Sequence, residues 1–215
     1  MKTIQSVTRM LILIVLMGTG IANAHVPYIE KLDYSGSRPF IVRNTIEQSI
    51  ALYAWLETDG VNPSTDVDVA RFEIEGPVRF FGELIVPVCV STIDFAPWFL
   101  LAGPGLPLPD VLLPFELPDG YGAMVMPNVT PGEARETFYE PFGGKSYYSG
   151  PVLDIELEIP GVYYVYYWDP YQVGGDYVGV LGREEIWNPK DIARGLYYTP
   201  YIRNDRELHG ECVAP

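Results

Sequence analysis

Alternation of apolar and polar residues with a period of two recurs along the chain and predicts β-strands. Residues 153–159 (LDIELEI) alternate throughout, and residues 66–75 (DVDVARFEIE) place Ala70, Phe72 and Ile74 on one face. Runs rich in β-branched and aromatic residues predict further strands at residues 39–42, 48–56, 78–88, 162–168 and 177–181.

Short turn sequences join two pairs of these predicted strands. Asp169-Pro170 and Gly174-Gly175 lie between strands 162–168 and 177–181, and Gly76-Pro77 lies between strands 66–75 and 78–88. Two strands separated by a short turn containing glycine are typical of a β-hairpin. The sequence therefore predicts two hairpins.

Proline is concentrated in the middle of the chain, where 12 of the 20 prolines fall within residues 87–160. Proline cannot donate a hydrogen bond to a sheet, so we expect a long insertion here rather than regular strands. Residues 101–122 are apolar and broken by proline, which predicts that they pack over the sheets. Residues 137–151 predict a second loop, rich in aromatic residues and glycine.

The last part of the chain changes to helical spacing. Asn188 and Pro189 are typical of a helix N-cap and first turn, and Pro200 is expected to end the helix. We therefore predict a short helix over residues 189–198. With the strands, this predicts an all-β antiparallel β-sandwich that forms one domain over residues 25–215.

Residues 1–24 have the pattern of a secretory signal peptide. Lys2 and Arg9 precede the apolar run MLILIVLM, and Ala22-Asn23-Ala24 forms an A-x-A cleavage site. The sequence predicts a secreted protein, extracellular or periplasmic. No later segment is long and apolar enough for membrane insertion after cleavage.

Removal of that segment would leave 12 basic residues against 28 acidic ones, a formal net charge of −16. So acidic a chain is not expected to bind nucleic acid, whereas it is compatible with cations. The charge also fits a role in solubility alone.

Two cysteines, Cys89 and Cys212, make up the full complement of the chain. In an oxidising compartment an even pair predicts one disulfide, although two free thiols are the alternative.

Two stretches resemble a known fold family. Residues 66–72 (DVDVARF) followed by Gly76-Pro77, and residues 160–165 (PGVYYV) followed by residues 174–177 (GGDY), are similar to segments of bacterial pre-peptidase C-terminal-type β-sandwiches. The resemblance implies an antiparallel, jelly-roll-like sandwich, usually an accessory or binding module of secreted proteins. The proline-rich insertion and the C-terminal helix depart from that pattern.

The two histidines of the chain, His25 and His209, suggest a metal site. Cleavage after Ala24 would give His25 a free amine beside its ring, and a second histidine would complete a three-nitrogen copper site. This resembles the histidine brace of secreted copper proteins, among them monooxygenases. The alternative is that His25 is an arbitrary first residue and His209 a solvated one.

A second metal hypothesis concerns Ca²⁺. Asp66 and Asp68, with Asp169 or Asp176, could supply oxygen ligands, although Ca²⁺ needs six to eight of them. The alternative is an acidic start to a strand.

Four aromatic residues in the second loop suggest a binding surface for an extracellular protein or a glycan: Tyr139, Phe142, Tyr147 and Tyr148. Alternatively, they cover the apolar insertion. No G-x-S-x-G elbow, C-x-x-C pair or phosphate-binding loop is present. The sequence therefore favours a non-enzymatic binding module without a cofactor. A copper-binding protein is the alternative, and a copper monooxygenase is the first choice among enzymes.

Overall fold

Two packed β-sheets form the body of the protein in a computed structural model that describes residues 25–62 and 66–215. The predicted signal peptide lies outside the described residues. The strands are β1 Val26–Ile29, β2 Phe40–Ile41, β3 Ile50–Leu56, β4 Val67–Ile74, β5 Val78–Pro87, β6 Trp98–Gly103, β7 Gly122–Met126, β8 Thr137–Glu140, β9 Lys145–Leu157, β10 Gly161–Trp168 and β11 Gly175–Leu181.

The six-stranded sheet has the order β1-β3-β11-β5-β9-β8, and the five-stranded sheet has the order β2-β4-β10-β6-β7. Only the edge pairs β1–β3 and β2–β4 are parallel among the described strand pairs. The predicted mainly antiparallel sandwich is therefore confirmed.

The main core lies between the two sheets. Ala70, Phe72 and Ile74 of β4 point into it, as the alternation predicted. From β10, Tyr163 and Tyr167 enter the same core. Period-two alternation predicted these inward faces because successive side chains of a strand point to opposite sides.

The two predicted hairpins are wrong. β10 belongs to the five-stranded sheet and β11 to the six-stranded sheet, and β4 and β5 are divided in the same way. Each turn therefore carries the chain from one sheet to the other. Between β10 and β11, the Asp169 carboxylate accepts N–H groups of Val173 and Gly174 at 2.6 and 2.8 Å, which fixes this crossing. A turn sequence marks a change of direction and does not specify which sheet receives the next strand.

The proline-rich range 87–160 is not one irregular insertion, because β6, β7, β8 and β9 all lie within it. Residues 137–151, predicted as a loop, form the β8–β9 hairpin. The apolar segment between β6 and β7 does pack over the sandwich. Its covering side chains contact the outer face of the five-stranded sheet: Leu113, Phe115, Leu117 and Tyr121.

One α-helix, α1 (Pro189–Arg203), follows the last strand. The Asn188 side chain accepts N–H groups from the first turn, as predicted. The predicted end at Tyr198 is wrong, because the helix continues through Pro200. Ile202 is fully buried against the outer face of the six-stranded sheet, and Arg203 donates to the Phe142 carbonyl at 2.9 Å. These contacts hold the last turn although proline removes one helical hydrogen bond.

The chain beyond α1 returns to the body through the Cys89–Cys212 disulfide, which confirms the predicted pairing. The Val90 N–H donates to the Val213 carbonyl at 2.8 Å beside it. Within residues 25–62 and 66–215, no helix has both the length and the apolarity to cross a membrane.

Candidate functional site

A cleft of about 290 Å³ lies on the outer face of the six-stranded sheet. Strand alternation sends Ala51 and Tyr53 of β3 to this face, together with Val178 and Val180 of β11. Ile85 of β5 completes an apolar floor. The strand order places these three strands side by side, so residues more than 100 positions apart in sequence share one surface.

Aromatic rings form much of the cleft wall. Tyr53 and Tyr147 are buried, whereas Phe138 is 37% exposed at the rim and Phe142 is half-buried. The Phe138 and Tyr147 ring centroids are 6.1 Å apart. Burial raises the pKa of both tyrosines, so their hydroxyl groups stay protonated.

Two carboxylates reach the cleft. Glu140 at the end of β8 accepts the N–H of Phe142 at 2.8 Å and also that of Gly143, which fixes the turn between β8 and β9. Glu83 of β5 stands on the floor, and burial raises the pKa of its carboxyl although Arg183 opposes the shift. Glu83 is therefore an acid whose charge a cation in the cleft would stabilise.

His25 closes one end of the cleft. Its Nδ1 atom forms a hydrogen bond with the hydroxyl of Ser49, a residue that is buried at the start of β3. Burial lowers the pKa of the imidazole, so the neutral ring is favoured. Neither lysine nor arginine occurs among the described residues that line the cleft. The described lining residues therefore combine aromatic rings and carboxylates without a lysine or arginine, and the positive charge that acts on Glu83 is that of Arg183 outside the lining.

The four predicted aromatic residues do not form one surface. Tyr147 and Phe142 line the cleft, whereas Tyr139 is 63% exposed and does not line it. Tyr148 points to the other side of β9, where the Arg135 guanidinium lies 3.8 Å from its ring. Successive side chains of a strand point to opposite faces, so Tyr148 faces away from the cleft that its neighbour Tyr147 lines.

The structure does not bring His25 and His209 together. His25 contacts Ser49 at the start of β3, whereas the His209 ring stacks on Trp55 near the strand's end, with centroids 3.4 Å apart. Six residues of strand separate Ser49 from Trp55, or roughly 20 Å. The His209 N–H also donates to Asp176 at 2.8 Å. The geometry of a copper brace is therefore not formed.

The four aspartates suggested for Ca²⁺ contact different groups. Asp169 and Asp176 accept backbone N–H groups of nearby segments, and Asp66 accepts the Glu57 N–H at 2.6 Å. Asp68 is the exception, because it is buried and lies beside Glu30.

Sequence reasoning missed Tyr53, Phe138, Glu83 and Glu140 as cleft residues. One signal was present for Glu83, which interrupts the apolar run of residues 80–88. Comparison with known families found no family model that matches the chain, and comparison with curated proteins found no significant match. The resemblance to pre-peptidase C-terminal-type sandwiches stays a prediction.

Proposed function

We propose that the protein is a non-enzymatic interaction module that binds a cationic side chain, arginine above all, of an extracellular protein partner in the cleft beside Glu83. The observation that carries this proposal is the cleft's combination of carboxylates and aromatic rings without a lysine or arginine among its described lining residues. An extracellular or periplasmic location is part of the proposal, and the Cys89–Cys212 disulfide supports it.

Charge and ring chemistry together favour a guanidinium group. The formal net charge of −14 attracts cations over a distance, and Glu83 supplies a local negative charge. A guanidinium is planar, stacks on aromatic rings and pairs with carboxylates through two N–H groups. The rings of Phe138 and Phe142 provide the stacking surface. The volume of about 290 Å³ is near the lower limit of ligand clefts, which suits one side chain.

Binding is expected to depend on pH through Glu83. Burial raises the pKa of this carboxyl, and a bound cation lowers it again, so binding releases protons at pH values where the carboxyl of the free protein is still partly protonated. Affinity for an arginine peptide should therefore increase as pH rises through the pKa of Glu83 and then become constant. Titration calorimetry in two buffers of different ionisation enthalpy measures the proton release directly.

The test uses short capped peptides that carry arginine, or the neutral isostere citrulline, in a glycine background. The arginine peptide should bind and the citrulline peptide should bind at least tenfold more weakly, with affinity falling as salt is added. Binding of neutral oligosaccharides with no response to the arginine peptide would overturn the proposal in favour of a glycan.

Two variants with a matched control localise the binding. Glu83→Gln keeps the shape of the side chain and should weaken binding tenfold or more, and Phe138→Ala should weaken it severalfold. Tyr139→Ala removes an exposed ring from the next position on β8, which does not line the cleft, and should leave affinity unchanged. Equal effects of Phe138→Ala and Tyr139→Ala would contradict binding in the cleft.

A further inference from the structure

Three carboxylates converge at one edge of the sandwich, away from the residues that line the cleft. Glu30 follows β1, Asp33 lies in the loop between β1 and β2, and Asp68 is the second residue of β4. One oxygen atom from each residue lies within 4.8 Å of the others. Since β1 and β4 belong to different sheets, the three carboxylates connect the two layers at this edge.

Two of these three residues are withdrawn from water. Asp68 is 1% exposed and Glu30 is 4% exposed, whereas Asp33 faces solvent. The buried carboxyls receive few hydrogen bonds. Glu30 accepts the N–H groups of Tyr34 at 2.8 Å and Trp55 at 3.2 Å. These bonds use both oxygens of Glu30 but supply no positive charge.

Asp68 is the less satisfied of the two. Its Oδ2 atom accepts the hydroxyl of Tyr177 at 2.8 Å, whereas Oδ1 receives no N–H group or other hydroxyl within the described residues. Its remaining neighbour is the Glu30 carboxyl, and a hydrogen bond between the two carboxyls requires a shared proton. No lysine or arginine in residues 25–62 and 66–215 forms an ion pair with any of the three carboxylates. A buried carboxylate oxygen without a partner is costly, which points to a positively charged group at this place.

From this geometry we propose that Glu30, Asp33 and Asp68 bind a Ca²⁺ ion. Calcium–oxygen bonds are about 2.3–2.6 Å long, so two ligands of one ion are at most about 5 Å apart, and the three oxygens satisfy that limit because they all lie within 4.8 Å of one another. The ligand set contains oxygen only, which suits Ca²⁺ better than zinc or copper. Water completes the coordination on the exposed side of Asp33.

The competing occupant is a proton. Burial and the neighbouring Asp68 raise the pKa of Glu30 to about 9, and burial raises the pKa of Asp68 to about 7. In the absence of metal, a proton shared between Glu30 and Asp68 would relieve the same deficit of positive charge. Added Ca²⁺ distinguishes the two hypotheses, because it should stabilise a protein with a metal site and should not stabilise one in which Glu30 and Asp68 share a proton.

The test uses the whole chain after removal of divalent ions by a chelator, at pH 8. Tb³⁺ should bind and emit when Tyr177, whose hydroxyl bonds to Asp68, is excited, and Ca²⁺ should displace it. Extracellular modules bind Ca²⁺ with dissociation constants of about 10⁻⁴–10⁻³ M. Addition of 10 mM Ca²⁺ should therefore raise the folded-to-unfolded ratio about 10- to 100-fold.

Asp33→Asn tests the ligand set, because Asp33 is exposed and its replacement should leave the fold intact. The Ca²⁺ affinity of this variant should be at least tenfold lower than that of the wild type. Asp119→Asn, an exposed acid on the covering loop, should respond as the wild type does. Asp68→Asn should abolish the Ca²⁺ response while its stability in chelator equals or exceeds that of the wild type.

Two outcomes would overturn the proposal. The first is a wild-type protein that neither displaces Tb³⁺ nor gains stability at 10 mM Ca²⁺, which would leave the proton-sharing pair. The second is an Asp33→Asn variant with the full response, which would place any bound ion elsewhere.

Discussion

Removal of the disulfide should destabilise the protein more than any single change on its surface. Cys89 follows β5 and Cys212 lies near the end of the chain, so the bond closes a loop with a sequence separation of 123. The double substitution Cys89→Ala/Cys212→Ala removes the bond with little change in volume. Nearby contacts, including the Val90 to Val213 hydrogen bond, can persist in the folded variant.

The expected magnitude follows from the length of that loop. In the chain-entropy treatment, a cross-link over such a separation restricts the unfolded chain by about 5 kcal/mol at 25 °C. Domains of this size unfold with about 5–15 kcal/mol. The variant should therefore be close to the limit of stability.

Urea unfolding, followed by tryptophan fluorescence, measures the loss of unfolding free energy. Without the cross-link the unfolded chain expands and exposes more surface, so the dependence of the free energy on urea should also become steeper. Wild-type protein under reducing conditions is the matched control, because it lacks the bond but keeps both sulfur atoms. A loss below about 1 kcal/mol with an unchanged urea dependence would refute the reasoning.

Two further predictions concern pH and backbone packing. Burial lowers the pKa of His25, so as pH decreases below about 6.5 the unfolded chain takes up a proton before the folded chain does. The free energy of unfolding should therefore decrease by at most about 1.4 kcal/mol for each unit by which the pH is lowered. His25→Asn, which can keep the bond to Ser49, should lose less between pH 7.5 and 5.5 in urea unfolding, and an equal loss would contradict this cause. In Gly122→Ala, the new Cβ would lie 1.9 Å from the Leu106 carbonyl oxygen, so we expect about 1–3 kcal/mol of destabilisation. Gly76→Ala, with no atom within 4 Å of its Cβ, is the control, and equal urea midpoints would refute the clash.

Local pattern was sufficient to predict several parts of the fold. The inward face of β4 follows from alternation alone, and the start of α1 follows from Asn188 and Pro189. The disulfide follows from the presence of two cysteines. The face of β4 and the start of α1 depend on residues that are close in sequence, and two cysteines allow a single intramolecular pairing.

Properties that depend on sheet membership could not be predicted in this way. Gly76-Pro77 carries the chain between sheets, but the same residues could equally close a hairpin. Proline density also misled, because the prolines beside β6, β7 and β8 lie in the connections, and Pro151 lies within β9 at the point where its register with β5 shifts. Pro200 is tolerated because Ile202 is buried beyond it, a contact with residues distant in sequence.

The cleft could not be predicted from the sequence for a related reason. Its position depends on which part of an apolar sheet face other segments of the chain cover. The covering loop packs on the outer face of the five-stranded sheet through Phe115 and its neighbours. On the six-stranded sheet, Ile202 of α1 covers part of the outer face, and His209 covers Trp55. The floor around Tyr53 is part of the cleft that these residues leave open. The combination of an apolar face with Glu83 within it is the feature from which we propose a partner that brings both apolar surface and positive charge.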